Sequence, residues 1–529
     1  MNEIAARLGA VGLPMTVAEL ASRDWDAVVV GGGHNGLTAA AYLARAGRSA
    51  LVLERRERLG GACTLERPFA DERFQVSPCA YVLGLLDQKV IDELDLQRRG
   101  LRWWLADPNL WIPFADGGSL GQFVDDAQTQ RSLEALGVSA ADIDGYWRHQ
   151  RLYDEARRLL RTGGRDAWEG DSPDRASIET MLGGRRELID LVFAASVAEV
   201  MDDHFRDQRL HDALFGGGVI GTWAGPRDPG TASVKLMHHQ GDLDGRGSNW
   251  AYVEGGMGMV SFAIADAARE AGATLACGVP VARIIPGEGV ELEDGTVIRA
   301  ADVVCNADPK VALQLLGAAT IDSFDRGYRE RLEAWDVRSP VVKLNAALEE
   351  LPDWSAAAGE TWPARAMIEL TDGIDAAQAA FEGCRGGEPG IGFAEVYTQT
   401  GFDPSPAPAG KHSMTVFAQY APYELNGGWA ARRDEVGQSI LDLIDRFAPG
   451  IRDRLIDYEV LGTPDIEARV GLSGGQIFQG SVLPEQMWEN RLSPRTPVPG
   501  FWLCGAATHP GGSVIATNGR NAAAAILGG

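Results

Sequence analysis

Asp26-Ala27-Val28-Val29-Val30-Gly31-Gly32-Gly33-His34-Asn35-Gly36-Leu37-Thr38-Ala39-Ala40-Ala41-Tyr42-Leu43 is an apolar run that breaks into glycines and resumes as a helix former. The pattern predicts a strand, a tight turn and a helix. Gly31, Gly33 and Gly36 hold the GxGxxG spacing: one glycine for the turn, one letting backbone approach a pyrophosphate, one packing helix on strand. The free N–H groups and dipole at the helix start favour an anion there without a basic side chain. Glycines also mark ordinary turns, so the context decides. A second apolar strand, Ser49-Ala50-Leu51-Val52-Leu53, ends in Glu54, 18 positions past Gly36. A carboxylate at that point accepts from ribose hydroxyls; the alternative for Glu54 is a solvated strand-end acid. Gly60-Gly61 follows, a pair that lets the chain pass close to a ligand or makes a plain surface turn.

The chain has 529 residues, which exceeds one ordinary core and predicts two domains. Hydrophobic residues make up 45% and charged residues 23%, enough apolar side chain for a large core. A net charge of −25 argues against nucleic acid as a partner and disfavours broad adsorption on anionic lipid. It leaves room for peripheral membrane contact through a local apolar patch. Six scattered cysteines form no CxxC, which fits a reducing, cytoplasmic setting and gives neither a redox disulfide nor a zinc site. No apolar run is long enough to span a bilayer. Residues 1–24 read as a small helical extension with a capping box from Thr16 to Glu19.

Between Leu86 and Asn249 the pattern turns helical, with six tryptophans among many Arg and Asp residues. Gly216 to Pro226 is too rich in glycine for a helix interior and reads as a loop beside something flat. His204 and His211 sit seven apart on an expected helix, and His238-His239 follow nearby; packing or a surface position is the expected role of these histidines, since no metal-ligand spacing accompanies them. Val253 to Met259 opens a helix running to about Ala271. A strand at Val279–Ile285 and a hairpin around Asp294-Gly295 come next, then a strand ending at Cys305-Asn306. From Gly327 to Gly462 the alternation of Val341–Leu348 and Ser413–Tyr420 predicts a mixed sheet covered by helices. Near the end, Gly500–Gly505 reads as a strand and Ala506–Ser513 as a turn with its own glycine pair. Val514–Leu527 reads as a helix whose positive end points at a flavin, because an isoalloxazine lies far from its adenosine and requires this second turn.

These motifs resemble the phytoene-desaturase-like flavoproteins, most closely the branch of pyridine nucleotide-disulfide oxidoreductase domain-containing protein 2. The residues that carry the resemblance are the Gly31–Gly36 loop with Glu54 and Gly60-Gly61, Trp250-Ala251-Tyr252 through Gly258, Gly474-Gly475-Gln476-Ile477-Phe478-Gln479-Gly480, and Leu503-Cys504-Gly505 with Thr508-His509-Pro510-Gly511-Gly512. The resemblance implies non-covalent FAD on an α/β, glutathione-reductase-type (Rossmann-like) domain, with an inserted α+β substrate domain holding a mixed sheet and helices. The expected division is 25–85, 250–326 and 463–529 for FAD, and 86–249 and 327–462 for substrate. The expected FAD contacts are Gly31, Gly33, His34, Asn35, Gly36, Glu54, Arg55, Gly60, Gly61, Ala62, Val281, Asn306, Gly505, Gly511, Gly512 and Val514. No metal ligand is expected. Many related amine oxidases place an acid after the last strand's glycine; Ala506 follows Gly505 here, which favours the desaturase side.

The implied activity is that of an FAD-dependent oxidoreductase of dehydrogenase/desaturase or isomerase type, with hydride transfer from a C–H bond of a hydrophobic, isoprenoid or polyene substrate to flavin N5. Amine oxidation is the runner-up, and a non-catalytic flavoprotein that recruits a partner is the third reading. Lys343 and His239 are the candidate catalytic side chains, with a solvent-facing strand lysine as the expected alternative for Lys343.

Overall fold

The structure, a computed structural model, describes residues 2–322 and 324–528. Its strands begin with β1 (Asp24–Val30), β2 (Ala50–Glu54), β3 (Trp103–Leu105), β4 (Leu110–Pro113) and β5 (Ser119–Gln122). β6 (Ala251–Val253), β7 (Thr274–Cys277), β8 (Val281–Ile285), β9 (Gly289–Leu292) and β10 (Val297–Cys305) follow. β11 (Val341–Leu348), β12 (Ile368–Thr371), β13 (Phe393–Tyr397), β14 (His412–Gln419) and β15 (Leu455–Leu461) come next, and β16 (Phe501–Leu503) lies near the end.

The valines of β1 are buried on both faces, Val29 in one apolar cluster and Val28 and Val30 in the other, and parallel strands flank it, β2 on one side and β10 on the other. β7 extends the sheet beyond β2, and β16 pairs with the end of β10. All four of these pairings are parallel, as a doubly covered sheet requires. The β8–β9 hairpin joins antiparallel to the start of β10, and the expected Asp294-Gly295 turn links β9 to β10, with Gly295 at φ +83°. On one face lie the helices His34–Arg45, Gly258–Glu270 and Thr517–Leu527, packed through alanines and leucines.

The second sheet runs β15-β11-β14-β13-β12-β4-β5. Along β11, Val342, Leu344, Ala346 and Leu348 pack against the helix Trp429–Phe447. Val341 on the opposite face packs toward the helical segment between residues 126 and 239. This sheet is therefore covered on both sides, which decides the environment of Lys343. The stretch 86–249 is mainly helical, as expected, but also supplies β3, β4 and β5; the last two complete the second sheet, and β3 pairs with β6.

Two further expectations change. His204 and His211 lie on separate helices, Val197–His204 and Gln208–Ala213, and His211 is held between Asp202 and Asp212 at 2.9 Å each. The last helix begins at Thr517 rather than Val514, because Ser513, Val514 and Ala516 have φ of +83°, +58° and +66°, outside any right-handed helix. Among the described residues no helix is long and apolar enough to cross a membrane. The N-terminal extension forms two short helices, and the Thr16–Glu19 capping box is present.

Candidate functional site

Gly31 leaves β1 at φ +102°, where a side chain would be strained. A Cβ on Gly36 would lie 2.2 Å from the Gly31 carbonyl oxygen, so only glycine lets this helix sit so near the strand end. The helix His34–Arg45 starts at Gly33 with no side-chain cap and no acid in its first turn. Its first N–H groups therefore have no partner from a capping side chain. The second glycine pair stacks on this turn: Gly60 N–H donates to the Gly32 carbonyl at 2.8 Å, and a Cβ on Gly61 would lie 3.3 Å from the Gly33 Cα. It is thus part of the glycine turn and not a detached surface loop. Asn306 Nδ2 donates to the Gly31 carbonyl at 3.3 Å, holding the turn from the end of β10.

Glu54 is only 6% exposed, which removes the solvated strand-end alternative. Its Oε2 accepts from Gly32 N–H at 2.8 Å and its Oε1 from Arg56 N–H at 2.9 Å. Each oxygen keeps a second lone pair for a hydroxyl. Val279 N–H donates to the Glu54 carbonyl at 2.9 Å, bringing the chain that leads into Val281 beside it, whereas Arg55 is exposed.

The C-terminal turn reaches the same region. Gln479 bridges the Asn306 carbonyl and Ala507 N–H, at 3.0 and 3.2 Å, and a Cβ on Gly505 would lie 2.3 Å from its Oε1. Asn518 Nδ2 donates to the Gly511 carbonyl at 3.0 Å. Gly511 has φ +130°, but Gly512 does not lie in the left-handed region. Gly512 is required for space: a Cβ there would meet Phe478 at 2.6–2.8 Å, including its Cα. The helix Thr517–Leu527 also starts without a side-chain cap, and Gly519 brings it against Asn35, where a Cβ would lie 2.1 Å from the Asn35 carbonyl.

These features fit FAD. Two uncapped helix starts meet through Gly519, the backbone is stripped of Cβ atoms around Gly31–Gly36, and the buried Asn35 Oδ1 and Asn518 Oδ1 have no hydrogen-bond partner. Such orphaned acceptors, with free N–H groups beside them, suit a ligand that carries hydroxyls and an anionic pyrophosphate.

A cavity begins at His34, Ala62, Ser513 and Val514 and extends along the face of β11, β13 and β14. Burial keeps His34 neutral, pushed down to about 4. Most of the wall is apolar, including Val82, Ile220, Phe417, Leu472, Ile477 and Phe478. Lys343 stands in this wall, 2% exposed, so the solvent-facing expectation is corrected: the helical segment covers that face of the sheet. Its Nζ has no hydrogen-bond partner and lies 3.9 Å from the centre of the Tyr81 ring. Burial lowers the ammonium to about 7.

A second, polar cavity adjoins the first and shares Ile220, His238, Trp250 and Glu395 with it. His239 lines only this outer cavity, its Nδ1 against the Lys235 carbonyl at 2.8 Å and its ring neutral, lowered to about 3 by burial. Lys235 and Glu369, both buried, also face it. The sequence reading did not single out Glu369 or Glu395. The signal was an acid inside each of two apolar strands, Ile368-Glu369-Leu370 and Ala394-Glu395-Val396. Among the described residues no group of three or more His, Cys, Asp or Glu could hold a metal ion, and all six cysteines are free and buried.

Glu54→Gln is expected to lower FAD affinity about tenfold, since the amide oxygen can accept from only one of the two backbone N–H groups, its NH2 faces the other, and the charge facing the hydroxyls is lost. Titration of deflavinated protein with FAD measures it. Unchanged affinity would remove Glu54 from the cofactor site.

Residues 29–89 match the NAD(P)-binding Rossmann-like domain, and residues 148–527 match the flavin containing amine oxidoreductase family. The chain is 32% identical to mouse pyridine nucleotide-disulfide oxidoreductase domain-containing protein 2, over 95% of this chain and 93% of that one. It is 27% identical to hydroxyneurosporene desaturase of Cereibacter sphaeroides, over 94% and 97% of the two chains. In fold it is similar to wild-type putrescine oxidase bound to putrescine, with a TM-score of 0.62 at 17% identity, covering 96% of this chain and all of that one.

Proposed function

The chain belongs to the flavin containing amine oxidoreductase family and is an FAD-dependent oxidoreductase, and on that premise we propose that it is a dehydrogenase or desaturase of a hydrophobic, isoprenoid-like or polyene substrate. The apolar inner cavity carries this reading: it reaches from the glycine turn along the covered face of the second sheet. FAD, when bound, supplies the hydride acceptor. The residues do the rest. Gly31–Gly36, Glu54 and Gly60-Gly61 hold the dinucleotide, and Ser513 and Val514 carry the strained backbone beside the cavity. Phe417, Leu472 and Phe478 exclude water and align a hydrocarbon chain. The segments 25–85, 250–326 and 463–529 form the FAD-binding part, and 86–249 with 327–462 the substrate part. The likeness to hydroxyneurosporene desaturase supports the substrate class.

One observation favours amine oxidation as a second reading. Lys343 is a buried, unpaired amine with its ammonium lowered to about 7, able to hold a water or substrate nitrogen in the inner cavity.

Purified protein is expected to be yellow, and anaerobic mixing with phytoene or limonene is expected to bleach the flavin absorbance. Bleaching by putrescine or cyclohexylamine, with no response to either hydrocarbon, would transfer the assignment to amine oxidation. A colourless protein that gains no flavin spectrum from added FAD would end both.

A further inference from the structure

Four side chains cross the inner face of the second sheet in one row. Lys343 on β11 is the register partner of Phe417 on β14, Phe417 of Glu395 on β13, and Glu395 of Glu369 on β12. Directly opposed residues of an antiparallel ladder point to the same face, so the row is fixed by strand pairing. It runs from the inner cavity to the outer one: Lys343 lines the first, Glu369 the second, and Glu395 both. Lys235, from the helix Thr231–His239, also lines the outer cavity and donates to the Leu214 carbonyl at 2.6 Å. The three ionisable members of the row, and Lys235 beside them, are at least nine-tenths buried.

Glu395 is the one acid common to the two cavities, and its Oε2 accepts from both Tyr397 and Tyr81, at 2.8 and 3.2 Å. Neither bond uses Oε1. We infer that Glu395 is the proton station of the active site: its carboxylate takes the proton released in the inner cavity and hands it, past Glu369 and Lys235, to the polar outer cavity.

The direction of transfer rests on the dehydrogenase reading above. There, one C–H bond breaks and its electron pair leaves with the hydrogen as hydride to the flavin, the oxidant. The neighbouring C–H bond breaks, its electron pair becomes the second bond of a C=C, and its hydrogen leaves as a proton. That proton forms an O–H bond on Glu395.

The surroundings poise the group for this task. Burial raises its carboxyl, and the phenol hydrogen bonds and Lys343 pull it back, leaving it at about 7. Glu369 is pushed up by burial and by Glu395, and Lys235 is pulled down by burial, so each neighbour also exchanges protons more readily than in water. The remaining titratable groups around Glu395 are Tyr81, Tyr397 and Tyr252, all held neutral by burial, and His238, lowered to about 4.

The test is reduced-minus-oxidised infrared difference spectroscopy of the flavin-loaded protein, reduced with dithionite at mildly alkaline pH. Electrons placed on FAD bound in this cavity would add negative charge to it, which would draw a proton onto the Glu395 carboxylate. Wild type is expected to gain a carboxylic-acid carbonyl band, Glu395→Gln to lose it, and Glu369→Gln to keep it displaced. Tyr81→Phe removes one hydrogen bond to the carboxylate and is expected to raise the pH at which the band appears. A band retained in Glu395→Gln, a wild-type spectrum without it, or a Tyr81→Phe titration identical to wild type would overturn the proposal. Dithionite replaces the hydrocarbon, so failure of phytoene and limonene to bleach the flavin would sink the dehydrogenase reading and leave this result to be judged separately.

Discussion

Gly36→Val is expected to yield protein without flavin and with a markedly lower melting temperature. The Cβ would lie 2.2 Å from the Gly31 carbonyl oxygen and 3.2 Å from Asn306 side-chain atoms, and the first of these is backbone that cannot rotate away. Relief requires the helix His34–Arg45 to move off β1. That movement separates its uncapped N-terminus from the turn and pulls on the contact of Asn35 with Gly519. Overpacking at a flexible site costs about 1–3 kcal/mol, and a backbone clash at the centre of a parallel sheet belongs at or above the top of that range. Flavin content from the absorbance ratio and thermal unfolding beside wild type measure both effects. Full occupancy with an unchanged melting temperature would show that Gly36 does not pack the helix on the strand.

The fold class was legible because the parts that build it obey local rules. Gly31–Gly36, the valines of β1 and the Asp294-Gly295 hairpin each depend on residues close in sequence. Lys343 shows where such reading stops. Alternation along Val341–Leu348 correctly predicts a strand, but whether its second face meets solvent depends on the far earlier helical segment between residues 126 and 239. A lysine flanked by apolar residues on both faces of a strand was the available sign that the sheet is covered twice. The start of the last helix was misplaced for a different reason. Val514 and Ala516 have no intrinsic preference for a left-handed backbone, so nothing local in the sequence announces their φ of +58° and +66°. The Glu395 row escaped notice because strand register, not spacing, aligns it.

Arg491→Met is expected to destabilise the protein by about 3 kcal/mol or more and to perturb the flavin spectrum of whatever remains folded. Arg491 is 2% exposed and, among the described residues, forms no ion pair. Its guanidinium serves carbonyl oxygens instead: Nη1 donates to Ser481 at 2.7 Å and Gln486 at 3.4 Å, and Nη2 to Phe478 at 2.8 Å and Ala506 at 2.5 Å. Methionine matches much of the volume and satisfies none of them. Removing a buried cation without a counter-ion recovers part of its desolvation cost, so the net loss is smaller than the sum of four bonds. The carbonyls nonetheless remain buried and unpaired, which outweighs that gain. Phe478 and Ala506 both line the inner cavity, so the bonds to Nη2 fix the spacing of two cavity walls that arrive from separate segments. Their release is expected to shift the flavin absorbance and weaken FAD retention. Arg491→Lys is expected to recover part of the stability, because an ammonium has three donors but cannot reproduce the planar fork. Wild-type melting temperature and spectrum in Arg491→Met would mean that these carbonyls find other partners and that the two walls are positioned without the guanidinium.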